Sequence, residues 1–329
     1  MPSLPPLALE RRLDSRIWGG QTLGTWLGLA DAPPQLAESW QVYDQNRVAG
    51  GPFDGQTLAQ VAAAHAADLV GTRSFARYGA DFPLLAKFID AADHLSVQVH
   101  PDDAYAHRVE AGSGFHGKTE AWHILHAEPG AALIHGLRAP SDRATLAQAV
   151  EQGRLLELLR SVPVAAGDTL FVPAGTIHAI NAGIMLFEIQ QKSDLTYRVY
   201  DYDRHDAQGR PRDLHLDRAL EVIDYGPPRP AHSPPRDLAP GRTLLVECPY
   251  FAMERWTLFG PRTLHTDPGS FEVWTAIEGT AALEWQDGLL PLPRGASLVL
   301  PAALGNYALH ANPAVVLLRC YVPEEGVGG

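Results

Sequence analysis

The segment GDTLFVPAGTIHAI, from Gly167, holds a short apolar strand between a glycine and Pro173. The arrangement returns as GASLVLPAALGNYAL from Gly295, with Pro301 in the place of Pro173. A strand this short, closed at both ends by turn formers, has no independent stability and must pair into a sheet of similar strands. Such runs fill the chain: LLAKFIDA, LSVQVH, EAWHIL and HAINAGIMLFEIQQ precede residue 200, and almost nothing else follows residue 241. The pattern predicts a mainly β protein of two related jelly-roll β-barrels. Helical patterns fall only before the proline-rich stretch, at 57–70 (opened by Thr57), 141–161 (opened by Ser141) and 215–224. The proline-rich stretch GPPRPAHSPPRDLAPG, 226–241, reads as a linker or surface traverse. The division expected is 1–235, a barrel with a small helical insertion at about 102–165, and 236–329, a second barrel.

The two copies are unequal. His178 follows the Pro173–Ala174–Gly175 turn, whereas the second copy has no histidine between Leu304 and Tyr307. Chemistry is therefore expected in the first barrel and no metal ligands in the second.

Bulk properties narrow the classes. The net charge of −12 argues against nucleic acid and anionic membranes as partners. No apolar run approaches the ~18 residues of a membrane span, and the N-terminus lacks the apolar core of a signal peptide. Cys248 and Cys320 form no CxxC pattern and suggest a reduced, cytoplasmic protein. Of the 26 basic residues only Lys87, Lys118 and Lys192 are lysines. A compact ammonium suits phosphate binding or proton transfer, and arginine does not replace it freely.

In LSVQVHP, Leu95, Val97 and Val99 alternate with Ser96, Gln98 and His100. Gln98 and His100 thus share a strand face about 7 Å apart, a spacing from which two side chains can converge on one ion. In HGKTEAWHIL, Lys118, Glu120, Trp122 and Ile124 share a face. Glu120 among apolar neighbours would be costly to bury without a cation, and Trp122 would wall the pocket. The bland alternative is a Lys118–Glu120 pair on a wet face. His178, rigidly placed after its turn, completes a candidate set of two imidazoles, one carboxylate and one amide oxygen. That set suits Zn²⁺, and also Mn²⁺, Co²⁺ or Fe²⁺.

These residues carry a resemblance. GDTLFVPAGTIHAIN is similar to the second cupin motif through Gly167, Pro173, Gly175 and His178, with Asn181 one residue early. The first cupin motif is altered, with Gln98 where a histidine is usual and Glu120 twenty residues beyond His100. FPLLAKFIDAADHLSVQVHPDD, GKTEAW, PAGTIHAI and FEIQQKSDLTYRVYDYDR together resemble the type I mannose-6-phosphate isomerases (phosphomannose isomerases) of short bacterial form, with RIWGG and ESW in support. The resemblance implies a double-cupin fold and one zinc ion per chain, held by Gln98, His100, Glu120 and His178. It also implies metal-dependent interconversion of D-mannose 6-phosphate and D-fructose 6-phosphate through a cis-enediol.

That reaction needs a base, an electrophile and a cationic phosphate pocket. Glu188 or Asp194 is the candidate base, with His178 or a water on the metal as competing choices. Arg198 is expected to stabilise the enediolate or guide the phosphate, and Lys118 to face the substrate. Lys87 and Ser96 are placed on the phosphate side, and Trp122 and Glu38 beside the sugar. The alternatives are an isomerase of another aldose or aldose phosphate, and a sugar-binding cupin without turnover. A monomer or weak dimer is expected.

Overall fold

The computed structural model describes residues 4–205 and 209–324. Contacts sort the chain into two compact units, each discontinuous in sequence. One comprises Met1–Leu13, Ser39–Lys87 and Pro234–Gly329; the other comprises Asp14–Glu38 and Phe88–Ser233. One boundary thus falls inside the proline-rich stretch, and the first 87 residues are shared between the units.

Two sheets lie mostly in the second unit. The six-stranded sheet runs in the order Arg12–Gly20, Leu36–Val42, Leu84–Ala91, Ile184–Gln191, Glu120–Ala127, Thr169–Val172. The five-stranded sheet runs Tyr197–Tyr200, Val97–Val99, His178–Ala179, Ala132–Leu137, Leu159–Pro163. Trp122, Leu170 and Leu186 from the first sheet pack with Leu133 and Val162 from the second. Each such buried side chain contributes roughly 1.5–3 kcal/mol. The other face of the five-stranded sheet is covered as well. Val97, Val99, Ala179, Tyr197 and Val199 pack there against Leu146, Leu155, Ala219 and Leu220 from the helices. Strand alternation then turns Gln98, His178 and Arg198 towards the facing sheet.

The helices are shorter than their sequence patterns. Thr57 caps Leu58–His65 in a reciprocal capping box with Gln60, but Ala66 at φ 45° breaks the helix before Ala67–Val70. Asp142, one residue after Ser141, caps Arg143–Glu151. Gly153 at φ 68° reverses the chain, Leu155–Leu158 makes a further turn, and Leu159–Pro163 enters the sheet. The helical segments of 102–165 are therefore interleaved with three strands. The proline-rich stretch is a traverse along a sheet edge: Phe171 donates to the Ala231 carbonyl, and Ser233 to that of Thr169.

The first unit centres on a nine-stranded antiparallel sheet. Residues 67–78 join it by close backbone approach: a Cβ on Gly71 would lie 2.3 Å from the Ser270 nitrogen. Nearby, Arg73 binds the Val322 carbonyl and Asp267.

Strand register shows how far the sequence repeat extends. In the second unit Glu120 pairs with Val172 and Gln190, and Trp122 with Leu170 and Glu188. In the first, Glu272 pairs with Leu300 and Tyr321, and Trp274 with Leu298 and Arg319. Glu272 and Trp274 therefore hold the positions of Glu120 and Trp122, and Arg319 that of Glu188. The Arg319 guanidinium lies 2.6 Å from Glu272 and 3.6 Å from Glu254, both carboxylates being buried. The Trp274 indole and the Tyr307 hydroxyl also donate to Glu272, at 2.7 and 2.6 Å. Burial opposes the charge on Arg319, and the two carboxylates more than offset it, raising its pKa above the ordinary range.

Removing that cation strands the buried Glu272 carboxylate, whereas Glu254 keeps Arg242 at 2.7 Å. Arg319→Met should destabilise the protein by about 3–5 kcal/mol, read as a lowered thermal midpoint, while its metal content stays that of the wild type. An unchanged midpoint would show that the guanidinium is not what compensates Glu272.

Candidate metal centre and active site

Glu120 opens the strand Glu120–Ala127, and its side chain is 1% exposed. Neither carboxylate oxygen accepts a hydrogen bond. The nearest partners are His178 Nε2 at 3.2 Å from Oε1, and Lys118 Nζ and His100 Nε2 at 3.2 and 3.6 Å from Oε2. Leaving a buried carboxylate this poorly satisfied costs several kcal/mol unless a cation completes it.

The imidazoles are set to complete it together with a metal. His100 Nδ1 lies 2.8 Å from the Leu195 carbonyl, and His178 Nδ1 2.8 Å from that of Thr176. A carbonyl can only accept, so Nδ1 carries the proton in both rings and each Nε2 lone pair faces Glu120. Burial pushes the His178 imidazole down to about 4, keeping it in the neutral form that ligates metals. The Gln98 amide nitrogen lies 3.4 Å from His178 Nε2. With the amide turned over, its oxygen becomes the fourth donor. Donors about 2.0–2.1 Å from a tetrahedral ion stand about 3.3–3.4 Å apart, and the separations of 3.2, 3.4 and 3.6 Å bracket that value. The four residues present fit a divalent ion of the zinc type.

Backbone geometry fixes this arrangement. Gly175 adopts φ 85°, and a Cβ there would meet the Val222 carbonyl at 3.0 Å. Its amide donates to the His100 carbonyl, so the turn that places His178 is tied to the other histidine ligand. On the five-stranded sheet Gln98 pairs with His178 on one side and Arg198 on the other, and His178 pairs with His135.

Other predicted residues surround this centre unevenly. Lys118 also lies 3.2 Å from His100 Nε2. Trp122 packs edge-on to His178 at 5.4 Å, and its indole donates to Glu188 Oε2 at 2.9 Å. Arg198 Nε donates to Ser96 Oγ at 3.2 Å, and its Nη1 to the Asp213 carbonyl at 2.8 Å. Asp194 is exposed, one residue before the Leu195 carbonyl that holds His100. Glu38 is buried at the end of the second unit's first segment, and Lys87 belongs to the first unit, its ammonium 5.4 Å above the Trp40 ring. Part of the charged run 185–204 is structural: Asp201 is buried against Arg204 and Arg212.

Sequence reasoning missed a positioning layer. The Thr176 and Leu195 carbonyls have no sequence signature. Gln191, which closes the strand Ile184–Gln191, has none either. Its amide oxygen accepts from the Thr119 nitrogen, and its Nε2 donates to Asp103, which fixes the backbone between Lys118 and Glu120.

Comparison with known proteins identifies the family. The model of the type I phosphomannose isomerase catalytic domain matches residues 7–129, and that of the mannose-6-phosphate isomerase cupin domain matches 242–319. The chain is 38% identical over 313 residues to mannose-6-phosphate isomerase ManA of Bacillus subtilis, covering 93% of this chain and 96% of that protein. It is 40% identical over 321 residues to mannose-6-phosphate isomerase of Streptococcus mutans, covering 94% and 97%. The chain belongs to the type I phosphomannose isomerase family. Among solved structures, the mannose 6-phosphate isomerase of Bacillus subtilis superposes with a TM-score of 0.85 at 32% identity, over 96% of this chain and 99% of that one. A zinc-bound mannose 6-phosphate isomerase, 18% identical, shares the fold with a TM-score of 0.77 over 98% and 100%.

Beside the candidate ligands of this phosphomannose isomerase, His135 donates from Nε2 to the Phe171 carbonyl and faces Arg160 at Nδ1. Burial and, more weakly, Arg160 lower its pKa from 6.5 to about 4. The unfolded chain thus binds more protons between those values, so stability rises with pH there. Stability contributed by neutral His135 should fall by up to about 3 kcal/mol as pH drops from about 6.5 to about 4. Denaturant unfolding of wild type and His135→Gln, both stripped of metal, should show the slope difference. Parallel curves would refute this.

Proposed function

We propose that this chain interconverts D-mannose 6-phosphate and D-fructose 6-phosphate, with one Zn²⁺ per chain held by Gln98, His100, Glu120 and His178. The observation that carries the reading is the buried Glu120 carboxylate, without a hydrogen bond on either oxygen, between two imidazoles whose Nε2 lone pairs face it. When bound, the metal supplies an electrophile that polarises the carbonyl and the neighbouring hydroxyl of the open-chain sugar.

The chain's own residues supply the rest. The reaction takes a proton from C2 of the aldose, passes through a cis-enediol and returns a proton to C1. His178 is unsuited to be the base, because Nδ1 is committed to Thr176 and Nε2 faces Glu120. The base is assigned to one of the carboxylates Glu188 and Asp194. Glu188 is held in the wall by the Trp122 indole, and Asp194 is open to solvent. Lys118 places an ammonium among the ligands, where it faces the sugar oxygens and favours developing enediolate charge. Arg198 lies on the strand beside Gln98 with its guanidinium anchored by Ser96 and the Asp213 carbonyl, suited to the phosphate or the enediolate. Lys87, Ser96, Trp122 and Glu38 complete the proposed substrate set.

We assign the chemistry to residues 1–235 and a self-neutralised, metal-free barrel to 236–329, as a monomer or weak dimer. The buried free thiols of Cys248 and Cys320 suit the reducing cytoplasm. No helix among the described residues is long and apolar enough to cross a membrane.

Steady-state kinetics separate the roles. The true base, replaced as Glu188→Gln or Asp194→Asn, should cost roughly 10²–10⁴-fold in kcat with metal content retained. If both variants keep wild-type kcat, neither carboxylate is the base. Free mannose should bind far more weakly than mannose 6-phosphate. Equal affinity would remove the phosphate pocket at Lys87, Ser96 and Arg198 and favour an isomerase of free sugars.

A further inference from the structure

Outside the centre just described, the described residues hold one other group of three metal-ligating side chains within 4.8 Å of one another: Asp103, His107 and His116. Their placement follows from local structure. Asp102 caps the helix Asp103–Val109, so Asp103 and His107, four residues apart, rise on one face. The chain then passes through the turn Ala111–Ser113, reverses at Gly114 (φ 70°) and brings His116 back beside that face. His107 Nε2 and His116 Nδ1 end 3.1 Å apart, with ring planes inclined at 75°.

That distance fits a shared proton. It also fits two donors on a single ion, since it nearly matches the edge of a tetrahedron with arms of about 2.0 Å. Asp103 tips the balance. Its Oδ1 accepts from the Gly117 amide and the Gln191 side chain, both at 2.8 Å. The carboxylate is thereby oriented beside the imidazole pair by bonds that neither histidine makes.

We propose that Asp103, His107 and His116 form a second, surface site for a borderline divalent cation, with water filling the remaining positions. Two imidazoles and one carboxylate select Zn²⁺, Ni²⁺ or Cu²⁺ over Mg²⁺ and Ca²⁺. The site is more exposed than the buried centre and binds more weakly. Its place in the fold gives it a consequence. His116 is two residues from Lys118, and its carbonyl accepts from Ser193 Oγ at 2.9 Å. An ion there clips the helix Asp103–Val109 to the segment that delivers Lys118 and Glu120.

The test uses tag-free protein already loaded at the buried centre, dialysed to equilibrium against excess Ni²⁺, then Zn²⁺, and analysed for bound metal. Wild type should carry one more equivalent than His107→Gln or His116→Gln. Mg²⁺ should give no such difference, and His107→Gln should keep wild-type turnover at limiting metal. Equal uptake by wild type and both variants overturns the proposal, whatever the absolute number. Because the reading is a difference, it stands apart from occupancy of the buried centre.

Discussion

A carboxylate placed in an apolar interior demands a positive charge, and both units of this chain are built around that demand. In the second unit Glu120 sits between two sheets with no hydrogen bond to either oxygen. Lys118 Nζ, 3.2 Å from one oxygen, is the charged side chain beside it, and the neutral His178 imidazole faces the other, a setting that a bound divalent cation would complete. In the first unit Glu272 occupies the same register position, and Arg319 meets it at 2.6 Å from the neighbouring strand. A guanidinium on the chain does permanently what an exchangeable ion does in the other copy. The proposed division of labour follows: a self-neutralised copy around Glu272, and a copy around Glu120 left open for chemistry.

The surrounding architecture serves the open copy. Because helices cover the far face of the five-stranded sheet, its polar residues turn inward. Gln98, His178, His135 and Arg198 then stand in one row across the strands. The tautomers are not left to chance, since backbone carbonyls hold both ring Nδ1–H groups. Such outer contacts typically matter 10–100-fold for metal affinity. The latch through Gln191 does the same for the segment that presents Lys118 and Glu120.

Much of this was legible in the sequence for physical reasons. Pro173 and Gly175 announce a turn only glycine can complete, and His178 follows it at fixed distance. Strand period put Gln98 and His100 on one face, and the apolar neighbours of Glu120 signalled a buried charge. Other features depend on contacts that sequence does not write down. Residues 39–87 pack with the C-terminal half because Gly71 lets two backbones touch, some two hundred residues apart. The helix expected to run to residue 161 stops early because Gly153 turns it and the sheet takes Leu159 and Val162. The match of Glu272 to Glu120 was hidden because the partner of each glutamate is set by strand register.

Anomalous diffraction at the zinc edge, on crystals of active enzyme, bears most directly on the central claim. A strong peak is expected about 2.0–2.2 Å from Glu120 and from the Nε2 atoms of His100 and His178. An active crystal with no peak at that position would contradict it.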